Sequence, residues 1–420
     1  MTEYVEYKDS GIPWIGNIPS HWDIRRGKNV LSLLDRPIRA DDEVITCFRD
    51  GEVTLRKNKR EDGFTVSLQE IGYQGIEPGD LVVHGMDGFA GSIGVSDSRG
   101  KATPVLNVMD SPHNKRFLMY YLRMAAYKDV FMSLSTGIRV RSCDLRWNKL
   151  SVFPFILPER DEQDKIAEFI DDSLMKIDFV IAEAKASIEE YKAWKASIIY
   201  EAVTKGLEPD VKMKDSGIEW IGTIPEYWKL EKLKRHTSML TPMRDKPEHL
   251  DGEIPWVRIE DYCGKYIDAS KEGLGVSSET VAKMNLKVYP VGTVLCTSSC
   301  DLGKCAIVSR PLVSNQRFIG IIPNANTCTD YLYYLMLSNA ERLNYLSTGT
   351  IQANLSRVAF EQLIVQIPPY NEQEEIASYL DKKMMQVDTL IFEKRALIKD
   401  LESYKKSLIF EVVTGKRRVC

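Results

Sequence analysis

One stretch constrains this chain more than any other. From Pro158 to Gly206 there is no proline or glycine between the two ends. Apolar residues recur at Ile166, Ile170, Leu174, Ile177, Ile181, Ala184, Ile188, Tyr191, Trp194, Ile198 and Ala202. Steps of three and four make one narrow stripe, the coiled-coil pattern, rather than a broad buried face. Pro158 suits a helix entrance and Gly206 a stop just past the end. About 44 helical residues at 1.5 Å each span roughly 66 Å, too long for a helix without a partner.

The partner lies in the same chain. Residues 368–415 repeat the stretch at an offset of 210, with Glu162-Gln163 on Glu372-Gln373, Asp178 on Asp388 and Val203-Thr204 on Val413-Thr414. Of the 43 positions from 162 to 204, 17 are identical without a gap. The stripe returns as Ile376, Leu380, Met384, Val387, Ile391, Ile398, Leu401, Tyr404, Leu408 and Val412. Two helices of equal length and register can bury these stripes against each other. A second duplication precedes each helix: KDSGIPWIGNIPSHW (Lys8 to Trp22) returns as KDSGIEWIGTIPEYW (Lys214 to Trp228), with 11 of 15 positions identical. The chain is thus a tandem duplication of signature, globular block and long helix, a period well above that of stacked solenoid repeats.

At 420 residues the chain is too long for one core. No apolar run approaches membrane-spanning length and the first residues are polar, so a cytoplasmic protein with neither membrane span nor signal peptide is expected. Eight cysteines are scattered, and only Cys296, Cys300 and Cys305 lie close together, loosely spaced for zinc; reduced, mostly buried thiols are expected. The net charge of −4 gives no support to nucleic-acid binding by itself. The acidity sits on residues 159–207, which carry 7 basic and 12 acidic groups. The globular parts are near neutral.

The blocks between the repeats, 23–157 and 229–367, share only fragments: a glycine-punctuated strand, a Thr-Gly turn at 136–137 and 348–349, and an apolar run before the helix. Short β-type runs, turns and helical pieces at 115–133 and 329–346 predict a mixed α+β domain in each half. One scaffold kept alike, with two blocks that diverged, predicts a common frame with two different readouts.

Several motifs suggest chemistry and fail on context. Phe89 to Gly94 (FAGSIG) lacks the strand–turn–helix setting of a nucleotide loop. Ile367 to Tyr370 (IPPY) has no amide where a methyltransferase would hold an amino group, and its equivalence to Pro158 makes it a helix entrance. Pro209-Asp210 with Lys212 and Lys214 lacks a second acid at strand spacing. Five unclustered histidines support no nucleophilic triad.

The two KDSGIxWIGxIPxxW segments, the two Glu-Gln helix entrances, the Thr-Gly turns and the ends EAVTKG and EVVTGK, all in this order, resemble the specificity subunit of type I restriction-modification systems over essentially the whole chain. The resemblance implies an α+β fold in which two globular target recognition domains are separated by two long antiparallel coiled-coil helices, with internal pseudo-two-fold symmetry. The segments are then 1–158 (signature and first recognition domain), 159–207 (central helix), 208–368 (second signature and recognition domain) and 369–420 (C-terminal helix). It implies a non-catalytic subunit in which each domain reads one half of a bipartite, asymmetric site in double-stranded DNA, while the helices set the gap and dock two modification subunits. No cofactor is expected in this chain. S-adenosylmethionine would belong to the modification subunits, and ATP and Mg to the restriction/translocase subunits of a complete system.

A DNA reader needs Arg, Lys, Asn or Gln on exposed loops. In the first block the candidates are Arg56, Lys57, Asn58, Lys59 and Arg60, with Arg139, Arg141 and Arg146 after the Thr-Gly turn. In the second they are Asn315, Gln316 and Arg317, with Gln352, Asn354 and Arg357 after the matching turn. The signature tryptophans Trp14, Trp22, Trp220 and Trp228 are expected to pack rather than to stack on bases. The rival readings are a protein-interaction scaffold without a DNA role, and a methyltransferase or nuclease subunit.

Overall fold

The computed structural model describes residues 4–59, 70–133, 145–242, 245–299, 302–346 and 355–419. Two helices dominate, Arg160–Lys205 and Tyr370–Val413. The chain divides into two compact units, Met1–Lys185 with Arg395–Cys420, and Ala186–Lys394. These units cut across the sequence segments, because each contains the first half of one long helix and the last half of the other.

In the first unit the signature forms a hairpin, Tyr7–Asp9 against Asn17–Pro19, and Asp23–Arg26 pairs with Pro154–Leu157 just before the helix. Strands Ser32–Leu33, Leu106–Asp110, Leu81–His84 and Ile93–Val95 form an antiparallel sheet in that order. Leu81, Val82 and Val83 are all fully buried, so this strand reads as a continuous apolar run rather than an alternating one. Helix Lys115–Tyr127 is capped by Asn114, whose side chain accepts the N–H groups of Arg116 and Phe117. Its Phe117, Tyr121 and Leu122 share one core with Ile166 and Ile170.

The second unit repeats the plan. Met213–Asp215 pairs with Thr223–Pro225, and Lys229–Lys232 with Ile364–Ile367. A five-stranded sheet runs Thr237–Leu240, Phe318–Pro323, Val294–Thr297, Cys305–Val308, Tyr266–Ile267, beside a three-stranded sheet Gly275–Val276, Ile254–Val257, Val313–Ser314. The helical pieces expected at 115–133 and 329–346 are each broken, the first at Asp129, whose φ of 56° no right-handed helix admits, and the second at Asn339.

Within each unit the two helix segments run antiparallel. In the first, Asp178 Oδ1 meets Lys405 Nζ at 2.5 Å while Phe169 lies under the Arg417 guanidinium, 5.4 Å from the ring centroid. In the second, Lys195 Nζ meets Asp388 at 2.6 Å while Gly206 adjoins Glu372. The stripe is buried at Ile166, Ile170, Ile177, Ile181, Ala184, Ile188, Ile198 and Ala202. Trp194 and Tyr404 do not belong to it, being 49% and 46% exposed. The seam instead takes the half-buried stems of Lys195 and Lys405, which keep the heptad step and carry their ammonium groups out to Asp388 and Asp178.

The repeated motifs meet in one knot per unit. Trp22 is fully buried, and its Nε1 donates to Glu162 Oε2 at 3.2 Å; Trp228 does the same to Glu372 Oε2 at 3.1 Å. Each knot is closed by a glycine from the end of the other helix. A Cβ on Gly415 (φ +70°) would lie 2.3 Å from Pro19, and one on Gly206 (φ +75°) 3.3 Å from Trp228. Gln163 and Gln373 accept the N–H of Asn114 (2.9 Å) and of Cys328 (2.8 Å), tying each globular block to a helix start. Trp14 packs on Phe153, and Trp220 lies beneath the Arg342 guanidinium at 3.7 Å.

Candidate nucleic-acid interface

In the first unit Arg56–Asn58 form a single 3-10 turn after the hairpin Ile45–Cys47 with Val53–Leu55. Arg56 Nε donates to Thr46 Oγ1 at 3.3 Å and Asn58 Nδ2 to Thr54 Oγ1 at 2.9 Å. Lys57 pairs with Glu43, and Lys59 pairs with Asp50 and, at 2.6 Å, with Glu52. Exposed pairs of this kind hold their cations weakly. Arg146 is exposed at the entrance of the turn Trp147–Leu150, directly after Leu145, whose N–H donates to Gly85 O at 2.8 Å. Arg60, Arg139 and Arg141 lie outside the described residues.

In the second unit Asn315, Gln316 and Arg317 form the connection between Val313–Ser314 and Phe318–Pro323. Asn315 Oδ1 accepts the Arg317 N–H at 3.1 Å, an Asx turn that fixes the loop locally. Arg317 O accepts the Ser298 N–H, and Ser298 O accepts the Leu355 N–H, both at 2.8 Å. Residue 298 therefore stitches this loop to the chain entering helix Arg357–Gln362. Arg357 itself is held by Glu361 at 2.6 Å, and Gln352 and Asn354 lie outside the described residues.

Asn315, Gln316 and Arg317 line a cleft together with Lys246, Trp256 and Arg258. Lys246 Nζ lies 5.8 Å from the Trp256 ring centroid. Arg258 is engaged by Glu272 at 2.8 Å and Glu260 at 3.3 Å. Sequence reading missed Lys246, Trp256 and Arg258, which stand about 60 positions upstream of the loop. The parallel pairing of Trp256 with Val313 brings them to it.

The described residues include no group of three or more His, Cys, Asp or Glu able to hold a metal ion. Gly88–Ala90 is a 3-10 turn followed by strand Ile93–Val95, so no helix N-terminus faces that glycine loop. His84 Nδ1 accepts the N–H groups of Met86 and Asp87, and burial holds its pKa below the usual value, as a neutral turn-forming imidazole requires. Ile367 to Tyr370 leads straight into the second long helix, and the Gln366 amide is buried, donating to Val203 O at 2.8 Å. The long helices also carry solvent-facing apolar side chains: Met175 and Phe179 in the first unit, Met385 and Phe392 in the second. No helix among the described residues is long and apolar enough to cross a membrane.

A family model described as the type I restriction modification DNA specificity domain matches residues 240–400. The type I restriction enzyme MjaIX specificity subunit of Methanocaldococcus jannaschii is 32% identical over 166 residues, 38% of this chain and 38% of that protein. The type I restriction enzyme EcoKI specificity subunit of Escherichia coli is 21% identical over 433 aligned positions, covering 96% of this chain and 90% of that one. A solved chain of a type I R-M system, from work on its complex assembly and conformational transition, shares the fold with a TM-score of 0.73 at 12% identity, over 95% of this chain and 99% of that chain.

Proposed function

We infer that this chain is a member of the type I restriction-modification DNA specificity family, that it reads double-stranded DNA with each of its two units, and that it carries no catalytic step of its own. One observation carries the reading above the others. Two units built from the same signature, the same helix start and the same helix end differ in the side chains that their globular blocks expose. A common frame suits a common duplex backbone, and divergent loops suit two unrelated half-sites. The forked and amide side chains at 56–58, 146 and 315–317 are of the kinds that distinguish base edges and hold phosphates.

Two modification subunits are the partners this reading requires, supplying S-adenosylmethionine and adenine methylation. The solvent-facing apolar side chains of the long helices, among them Met175, Phe179 and Phe392, are the surface we assign to their docking. Restriction subunits of a complete system would add ATP- and Mg-dependent translocation and cleavage. A chromosomal or invading DNA target places the complex in the cytoplasm.

Methylome sequencing of a host carrying this chain with its modification subunits is expected to show one bipartite, non-palindromic methylated motif. Replacing residues 23–157 with the corresponding block of a relative should change one half of that motif. A change in both halves removes the assignment of one reader to each unit, and a methylome without any motif dependent on this chain leaves a protein-binding scaffold as the better description.

A further inference from the structure

The two units can be placed in register through their hydrogen bonds rather than their sequences. Val44 bridges Lys101 in parallel as Trp256 pairs with Val313 in parallel. The Gly85 N–H donates to Val105 O as the Ser298 N–H donates to Arg317 O, each at 2.8 Å. Leu145 N–H then donates to Gly85 O as Leu355 N–H does to Ser298 O. By this register Thr103, Pro104 and Val105 occupy in the first unit the places of Asn315, Gln316 and Arg317 in the second. Val44 stands in the place of Trp256. The same backbone construction thus presents an apolar edge in one unit and an amide beside a guanidinium in the other.

In the second unit the candidate cations divide into engaged and available. Arg258 in the cleft and Arg357 outside it are engaged by carboxylates. The side chains of Gln316 and Arg317 are exposed and make no hydrogen bond or ion pair among the described residues. Their backbone is nevertheless held on both sides, by the Asx turn of Asn315 and by Ser298. An available polar head on a fixed turn meets the requirement for a preorganised contact.

We propose that Gln316 and Arg317 are the base-reading side chains of the second unit, Arg317 taking a guanine edge and Gln316 an adenine edge in the major groove. The proposal rests on the DNA-reading function inferred above. The planar fork of arginine matches guanine O6 and N7, and the glutamine amide matches adenine N6 and N7. Lys246, an exposed ammonium lining the same cleft, contributes a phosphate contact of no base preference.

The test uses the complex with modification subunits, reading the methylated motif and the affinity for oligonucleotides varied at one base pair at a time. Arg317→Val installs the side chain that the first unit carries at this place. It should abolish the preference at one guanine-containing position, a roughly 10- to 100-fold loss of discrimination, and leave every position of the other half-site unchanged. Gln316→Ala should relax a neighbouring adenine position in the same half. Arg317→Gln replaces the two-donor fork with an amide that donates and accepts, so the preference at that position should move from guanine toward adenine, which covers the case in which the valine variant fails to assemble. The affected half must be the one that changes when residues 229–367 are exchanged. Unchanged preference in Arg317→Gln, relaxation in the other half, or an equal weakening at all sequences overturns the proposal. A parent complex without any bipartite motif would instead remove the DNA-reading function beneath it.

Discussion

Trp22 and Trp228 each direct their single polar atom at the glutamate that opens a long helix. Glu162 keeps Tyr4 Oη at 2.6 Å and His21 Nε2 at 3.0 Å when that bond is lost, and a hydrogen bond to a charged group contributes about 1.5–3 kcal/mol, so Trp22→Phe should cost an amount in that range in denaturant unfolding. The closing glycines make a graded pair. Gly415→Ala drives a methyl to 2.3 Å from Pro19, whereas Gly206→Ala meets its nearest neighbours at 3.1 and 3.3 Å, so the first should lower the unfolding midpoint more than the second. Asp164 shows the acid side of stability. The Asn114 amide, at 2.6 Å, and then Arg160, at 3.0 Å, hold its carboxyl below the ordinary range. A depressed folded pKa contributes stability above the unfolded value of about 4 and loses it as pH falls through the folded value, so Asp164→Asn should flatten the acid limb of an unfolding profile. Burial pushes the Cys47 thiol up to about 12, while Cys263 is exposed. Alkylation of the native protein at neutral pH should label Cys263 well before Cys47. Scattered cysteines without metal spacing announced thiols, but no residue around Cys263 in the sequence marked it as exposed.

The long helices were legible because their apolar steps are strict and their ends are marked by proline and glycine. The misplaced Trp194 and Tyr404 show the limit of apolarity as a guide. From Tyr191 a step of three reaches Trp194 and a step of four reaches Lys195, and only packing reveals that a lysine stem fills the seam. The consequence is measurable: Ile188→Ala should cost about 2–5 kcal/mol, while Lys195→Ala should stay within about 1 kcal/mol despite its salt bridge. Trp194→Ala should be near neutral in the isolated chain. The α+β character of the blocks was legible from turn residues and short strands, but sheet membership was not, since Gly275–Val276, Ile254–Val257 and Val313–Ser314 join across long separations. For the same reason the 315–317 loop could be picked out as polar and exposed, whereas Trp256 and Lys246 read as ordinary strand and loop residues although they line the same cleft, Trp256 through a parallel pairing with Val313.

At the scale of the whole molecule, each compact unit takes half of each long helix, which makes helix length a shared variable. Inserting one heptad into both helices adds about 10 Å, close to three base pairs, and should lengthen the unspecified gap of the motif or abolish binding. An unchanged gap would remove the helices from that role. The crossing of the two repeats was visible only in part: the sequence paired one helix with the other, but nothing in it disclosed that Gly415 closes on Trp22 and Gly206 on Trp228. That exchange of endings has a consequence for biosynthesis. The stretch 186–394 has all its parts once residue 394 has left the ribosome, whereas the unit begun by the first signature still waits for the helix end after residue 394. The lobe whose synthesis starts first is therefore completed last, and residues 1–394 tethered to the ribosome by a linker long enough to fill its exit tunnel should show the later half protected from protease while the earlier half is still cleaved.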